Sequence, residues 1–314
     1  MDDGPVDLER HLVDSCLAAP GRVKDACRHI LDAPGKRIRP VVCMLAYKAM
    51  RGQGRAPADL AVACELLHNA TLLHDDVIDE GDVRRGRPAA RVVYGNAISV
   101  LGGDYLLMKT VEIVSARGPR MMAELVATLR ELVDGEVTQL GQRGSAETST
   151  AEYFRIIEGK TASLFRFAAA SGALAAGADA GACERIGLYG WHIGVAFQVI
   201  DDVLDMTATP EVLGKTLLSD IGEGKMTLPV ILAARESPLV KPLLDRLAAG
   251  DDAAEIAPRI AALVAGTGAI EAARAVASEH TGKALVAIDG VPGAVLEIAR
   301  VLKELAGALL GRES

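Results

Sequence analysis

The chain has 314 residues and a mass of 32.8 kDa, with 34 Lys and Arg against 42 Asp and Glu for a net charge of −8. Half of it is hydrophobic, 24% is charged and only 3% is aromatic, a balance that builds a core and excludes a disordered chain. The acidic balance also excludes nucleic acid held on a broad basic surface. It leaves small anionic substrates open, because a divalent cation reverses the local sign of charge.

The opening residues, from Met1 to Ser15, are acidic and have neither a basic leader nor an apolar stretch, so no secretory signal is expected. Leu8, Leu12 and Cys16 fall on one helical stripe, and Val295, Ile298, Leu302, Leu305 and Leu309 do so again near the end. Between them, turn-forming residues cluster at 33–35, 51–54, 117–119, 141–149, 176–181, 207–210 and 290–293. These breaks predict roughly ten to twelve helical segments and no long linker, hence a single all-α domain over residues 1–314. The Ala- and Gly-rich run 168–182 predicts closely packed helices. The longest uncharged runs, 167–178 and 186–200, are too short or too interrupted to span a bilayer, so no transmembrane segment is expected. The five cysteines show no CxxC pair and read as reduced thiols of a cytoplasmic protein.

One internal echo stands out. Asp75-Asp76-Val77-Ile78-Asp79 recurs as Asp201-Asp202-Val203-Leu204-Asp205, each copy closing an apolar helical run. On a helix, Asp75 and Asp79 project from one side and Asp76 stands about 100° away. Gln198, Asp201, Asp202 and Asp205 again share a side, and His68 lies two turns before Asp75. Carboxylates one turn apart repel, and a hard cation with oxygen ligands such as Mg²⁺ relieves the repulsion. A single such string also reads as a solvated acidic face; two copies set in apolar sequence argue against that.

Basic residues beside glycine recur at Gly35-Lys36-Arg37-Ile38-Arg39-Pro40, Arg84-Arg85-Gly86-Arg87, Gly159-Lys160-Thr161, Gly214-Lys215 and Gly224-Lys225. Arg forks and Lys point charges suit phosphate oxygens, although each cluster alone also reads as a surface patch. The Gly-Lys-Thr strings are not P-loops. The position that needs glycine holds Phe154 in one and Thr209 in the other, and no strand precedes either.

Together these motifs resemble the trans-isoprenyl (polyprenyl) diphosphate synthases, in order and spacing, from Gly35 to about Pro229. Gly35–Pro40 resembles the family's GKRxRP. Leu72–Asp79 with Arg84–Pro88 resembles its first aspartate-rich motif. Phe197–Asp205 resembles the second, and Gly224–Pro229 the closing lysine segment. The resemblance implies an isoprenoid-synthase-like bundle of long antiparallel helices around a deep central cavity, acting as a homodimer. It implies that Asp75, Asp76, Asp79, Asp201, Asp202 and Asp205 hold Mg²⁺ on an allylic diphosphate. Arg84, Lys160, Thr161, Gln198, Lys215 and Lys225 would clamp that substrate, and Lys36, Arg39, His68 and Arg85 would bind isopentenyl diphosphate.

The implied reaction is ionisation, condensation and elimination, which explains the lack of a dedicated nucleophile. Short-chain members often carry a bulky aromatic four or five residues before the first Asp. Here Thr71 and Ala70 occupy those positions, near Leu67, which implies a deep pocket and a long product, with Leu125, Leu129 or Leu132 as a possible lower floor. One departure is that Thr216 and Leu218 stand where the family usually has Pro and Gly, which bears on the reach of Lys215. Alternatives are a geranylgeranyl or farnesyl diphosphate synthase, a terpene cyclase, a non-catalytic subunit of a heteromeric synthase, and a phosphate- or metal-storing helical bundle.

Overall fold

The helical stripes read from the sequence become helices throughout a computed structural model that describes residues 8–53, 57–207 and 218–311. In chain order these are α1 (Leu8–Ser15), α2 (Gly21–Leu31), α3 (Ile38–Ala49), α4 (Ala58–Ile78), α5 (Ala90–Tyr94), α6 (Asn96–Ser115), α7 (Pro119–Gln142), α8 (Thr150–Ile157), α9 (Ser163–Ala175) and α10 (Ala180–Thr207). There follow α11 (Ser219–Gly222), α12 (Leu228–Glu236), α13 (Val240–Ala248), α14 (Ala253–Ala265), α15 (Ala269–Ile288) and α16 (Leu296–Leu310). The segments outnumber the expected ten to twelve because single residues end helices that the hydrophobic stripe alone would run together. Gly95, at φ 88°, separates α5 from α6 in this way. Among the described residues no single helix is long and apolar enough to cross a bilayer.

The fold is all-α, apart from one small departure inside the first arginine cluster. Strands β1 (Val83–Arg84) and β2 (Arg87–Pro88) pair antiparallel, with Arg84 opposite Arg87. The two residues between them, Arg85 (φ 52°) and Gly86 (φ 74°), are both left-handed. That is the type I′ geometry that matches the twist of paired strands. It suits Gly86 and costs Arg85 about 1 kcal/mol, a strain more often found at functional positions than in scaffolding.

Backbone contacts divide the chain into two compact units. The first comprises residues 1–127, 164–190 and 288–302; the second comprises 128–163, 191–287 and 303–314. In the first, α6 packs on α4, and Leu12, Cys16, Ile30, Leu66, Leu73 and Leu106 share one core cluster. Gly102 lets α6 approach closely, since a Cβ there would lie 3.2 Å from Leu73 Cδ1. Gly172 and Gly190 serve α9 in the same way. A Cβ on Gly172 would overlap the Cys43 carbonyl of α3, and one on Gly190 the Phe165 carbonyl of α9. Within the run 168–182, residues 168–173 are buried and closely packed, whereas 174–181 are partly or fully exposed around the turn that ends α9. In the second unit, Tyr153, Ile157, Val195, Val199, Val203 and Leu228 form one core, and Val230, Ile256, Ile260 and Val264 another.

Candidate functional site

In the first unit, α4 carries the chemistry on its last three turns. Asp75 and Asp79 are partly exposed, whereas Asp76 is fully buried. Asp76 meets Arg84, which reaches back from β1: Nε donates to Oδ1 at 2.7 Å and Nη2 lies 2.6 Å from the same oxygen. Burial pushes the Asp76 carboxyl up, and Arg84 opposes that shift. Its other oxygen, Oδ2, is buried and accepts no hydrogen bond. Arg91 steadies the connecting turn by donating to the Gly81 and Glu80 carbonyls and to Asp82.

Two turns earlier on α4, His68 is partly buried. Burial, then the charges of Arg39, Arg85, Arg84 and Arg37, hold its imidazole well below the ordinary histidine range, so it is neutral. Arg37 opens α3 in a left-handed conformation (φ 46°) and is committed to carboxylates, at 2.7 Å from Glu65 and 2.8 Å from Glu9. Glu65 and Asn69 in turn bond to each other within α4. Arg39 lies 4.6 Å over the Phe165 ring, which fixes its guanidinium plane. Arg85, lifted by the hairpin turn, buries Nη1 without an acceptor. Gly35 lies flat against Arg37 and Arg85, where a Cβ would stand 3.3 Å from an Nη1 of each. Lys36 follows it in an exposed turn. Guanidinium groups suit multiply charged anions; here Arg37 and Arg84 are already held by Glu9, Glu65 and Asp76.

In the second unit, the end of α10 supplies the other acidic string. Asp202 and Asp205 are buried and Asp201 is partly exposed. A short relay orders them. Thr161 Oγ1 donates to Gln198 Oε1 at 2.8 Å, Gln198 Nε2 donates to Asp202 Oδ1 at 2.9 Å, and Tyr153 OH donates to Asp202 Oδ2 at 2.7 Å. Burial, and then the neighbouring Asp220 charge, push the Asp202 carboxyl up to about 8. Asp205 accepts from Ser219 Oγ at 3.0 Å and from the Asp220 amide at 3.3 Å. Lys225 pairs with Glu223 at 2.7 Å, and Lys160 pairs with Glu136. Lys215 and Thr216 lie outside the described residues. Leu218 is described, and it keeps the left-handed conformation (φ 60°) that glycine would supply.

Tertiary contacts add residues that spacing did not single out: Glu65 in the first unit, and Tyr153, Asp220, Glu223 and Glu136 in the second. Each meets a partner distant in sequence, apart from Glu223, which lies two residues before Lys225. Of the three chain-length positions, Leu67 and Ala70 are buried, Ala70 within the cluster formed with α1, α2 and α6. Thr71 is partly exposed and donates to the His68 carbonyl at 2.8 Å.

Each acidic string by itself offers oxygens that suit a hard divalent cation. In the first unit Asp76 holds a buried oxygen without a partner, and in the second Asp202 is pushed toward the neutral form that a cation would reverse. Among the described residues no three His, Cys, Asp or Glu side chains form a closed cage.

Comparison with known proteins bears on the family. The polyprenyl synthetase family profile matches residues 20–263. "Heptaprenyl diphosphate synthase component 2" of Geobacillus stearothermophilus is 36% identical over 98% of this chain and 95% of its own length. A geranylgeranyl diphosphate synthase of Methanosarcina mazei is 42% identical over 69% of each chain. Among solved structures, the polyprenyl synthase of Caulobacter crescentus CB15, complexed with calcium and isoprenyl diphosphate, superposes with a TM-score of 0.92 at 34% identity. That match covers 98% of this chain and 94% of the other. Two acidic strings on helix ends, Arg84 held on the first of them, and these likenesses along nearly the whole sequence lead to one conclusion: the chain belongs to the polyprenyl synthetase family and is a prenyltransferase.

Proposed function

We propose that the chain condenses an allylic diphosphate with isopentenyl diphosphate to give a long-chain all-trans polyprenyl diphosphate. The observation that carries this reading is the guanidinium cluster around neutral His68, with Arg85 Nη1 buried and lacking an acceptor. A buried donor of that kind costs about 1–3 kcal/mol when left unmatched, and a diphosphate oxygen would satisfy it. Lys36, Arg39, His68 and Arg85 then hold isopentenyl diphosphate by its anionic end. Arg84, Lys160, Thr161, Gln198, Lys215 and Lys225 hold the allylic diphosphate.

Asp75, Asp76, Asp79, Asp201, Asp202 and Asp205 would bind magnesium, which when bound neutralises charge on the leaving diphosphate. As the allylic C1–O bond lengthens, negative charge grows on the leaving oxygens, and the Lys and Arg side chains stabilise that state more than the ground state. The double bond of the second substrate attacks the allylic carbon, and loss of a proton restores a neutral chain. Holding both substrates by their diphosphates removes much of the entropic barrier. Apolar walls must keep water from the allylic cation.

Residues 1–314 are taken as one catalytic domain, with α7, α9, α10 and α16 each running through both units. We also assign the protein to the cytoplasm, in keeping with five unpaired buried cysteines. A homodimer is supported by the outward apolar side chains of α6, where Leu101 is 51% and Met108 48% exposed. The word "component" in the name of the Geobacillus relative favours a second reading, that this chain works with a different subunit.

The test is an assay of allylic primer, labelled isopentenyl diphosphate and Mg²⁺, read by chromatographic product length. A long product is expected from the chain alone. Thr71 is the most open of the chain-length positions, so Thr71→Phe should shorten the product by at least one isoprene unit. An unchanged length would remove Thr71 from the pocket floor.

A further inference from the structure

Lys160 sits in a π-turn, Glu158–Ala162, between α8 and α9. Such a turn carries one extra residue per turn and marks functional positions more often than scaffolding. It is accommodated here by glycine. Gly159 lies against α7, where a Cβ would stand 2.8 Å from Gly135 Cα, and a Cβ on Gly135 would stand 3.0 Å from the Lys160 amide nitrogen. The backbone of α7 therefore touches the turn, and Glu136, the next residue along α7, meets the Lys160 ammonium. Both side chains are largely sequestered, at 17% and 18% exposure. Glu136 Oε2 takes the ammonium, while Oε1 is buried and accepts no hydrogen bond.

Ordinary structural ion pairs satisfy both carboxylate oxygens or remain in water. This one does neither, so the arrangement costs stability and calls for a use. We infer that Glu136 is a positioning residue for Lys160: it fixes the ammonium at the π-turn so that the remaining N–H donors are aimed at the allylic diphosphate. An ammonium has three donors, and engagement of one by Glu136 leaves two for phosphate oxygens. The inference rests on the reading of Lys160 as an allylic-diphosphate ligand and goes beyond it. Nothing in the spacing of the motifs singles out Glu136.

The experiment measures KM and kcat for the allylic primer and for isopentenyl diphosphate in Glu136→Ala, Glu136→Gln, Lys160→Ala and the double variant. Circular dichroism checks that each is folded. Glu136→Ala should raise the allylic KM by about tenfold or more, with the KM for isopentenyl diphosphate changed less than about twofold. Glu136→Gln, whose carbonyl still accepts from Lys160, should recover part of the loss. The double variant should match Lys160→Ala, because the two residues act as one device. Equal changes for both substrates, an allylic KM untouched in Glu136→Ala, or additive losses in the double variant would each overturn the inference. A Lys160→Ala enzyme with normal allylic KM would overturn both the inference and the assignment of Lys160 beneath it. Raised KM in Lys160→Ala beside normal KM in Glu136→Ala would sink the inference alone. If Glu136→Ala does not fold, the Glu136→Gln and Lys160→Ala pair decides by the same substrate-selective rise in KM.

Discussion

His68 shows how a single side chain takes its state from its surroundings. Its position two turns before Asp75 was legible in the sequence, but its neutrality was not. That comes from burial and from Arg39, Arg85, Arg84 and Arg37, brought to it from two separate segments. The pH consequence has a definite sign. Above the ordinary histidine value of 6.5, imidazole is neutral in both folded and unfolded chains. Below it, only the unfolded chain takes up the proton until the depressed folded value is reached. Stability is therefore greatest above 6.5 and falls with pH through that window, by up to about 1.4 kcal/mol per pH unit for one proton. His68→Gln should flatten this loss, measured as the shift in urea midpoint between pH 7 and pH 5.5. An identical pH slope in the variant would mean that His68 is not held neutral by the fold.

At the scale of the element, small residues decide where helices cross. The reading of run 168–182 as a close-packed segment depended on Ala and Gly content alone. It held for 168–173, where a Cβ on Gly172 would strike backbone, which cannot move aside as a side-chain tip can, and not for 174–181, which are partly or fully exposed. Gly282 on α15 has nothing within 4 Å of its Cβ position. The two classes of glycine should respond in opposite ways. Gly172→Ala should destabilise by about 1–3 kcal/mol through overpacking of α9 on α3. Gly282→Ala should stabilise by up to about 1 kcal/mol, since an exposed helical glycine pays only its conformational entropy. Guanidinium unfolding of the two variants measures both, and a matching sign would show that contact at Gly172 is not what limits substitution there. The β1–β2 hairpin was not foreseen, because two-residue strands carry no alternating pattern. Its only signal was Gly86 after Arg85, inside a stretch that reads as a charge cluster.

For the whole molecule, the open question is association. Val100, Leu101, Met108 and Val111 are exposed on α6, alongside the exposed charges of Asp104 and Glu112. A second copy of this chain would bury them, as the homodimer reading requires. Light scattering should then give about twice 32.8 kDa for the purified chain. Leu101→Glu with Met108→Glu should reduce that to the monomer mass while leaving the helical spectrum intact. A monomeric, inactive wild-type chain that gains activity only with another subunit would favour the heteromeric reading.

The sequence by itself determined the helical class, the two aspartate strings, the basic residues beside glycine and the family to which they belong. Those features are local, set by periodicity along one helix and by motif spacing, and so survive being read one residue after another. Only the tertiary structure decided the partners: Asp76 with Arg84, Asp202 with Tyr153 and Gln198, Lys160 with Glu136, and an Arg85 nitrogen buried without an acceptor. The Tyr153–Asp202 and Glu136–Lys160 contacts join residues far apart in the chain, and burial, which raises the Asp202 carboxyl and lowers the His68 imidazole, exists only once helices have packed.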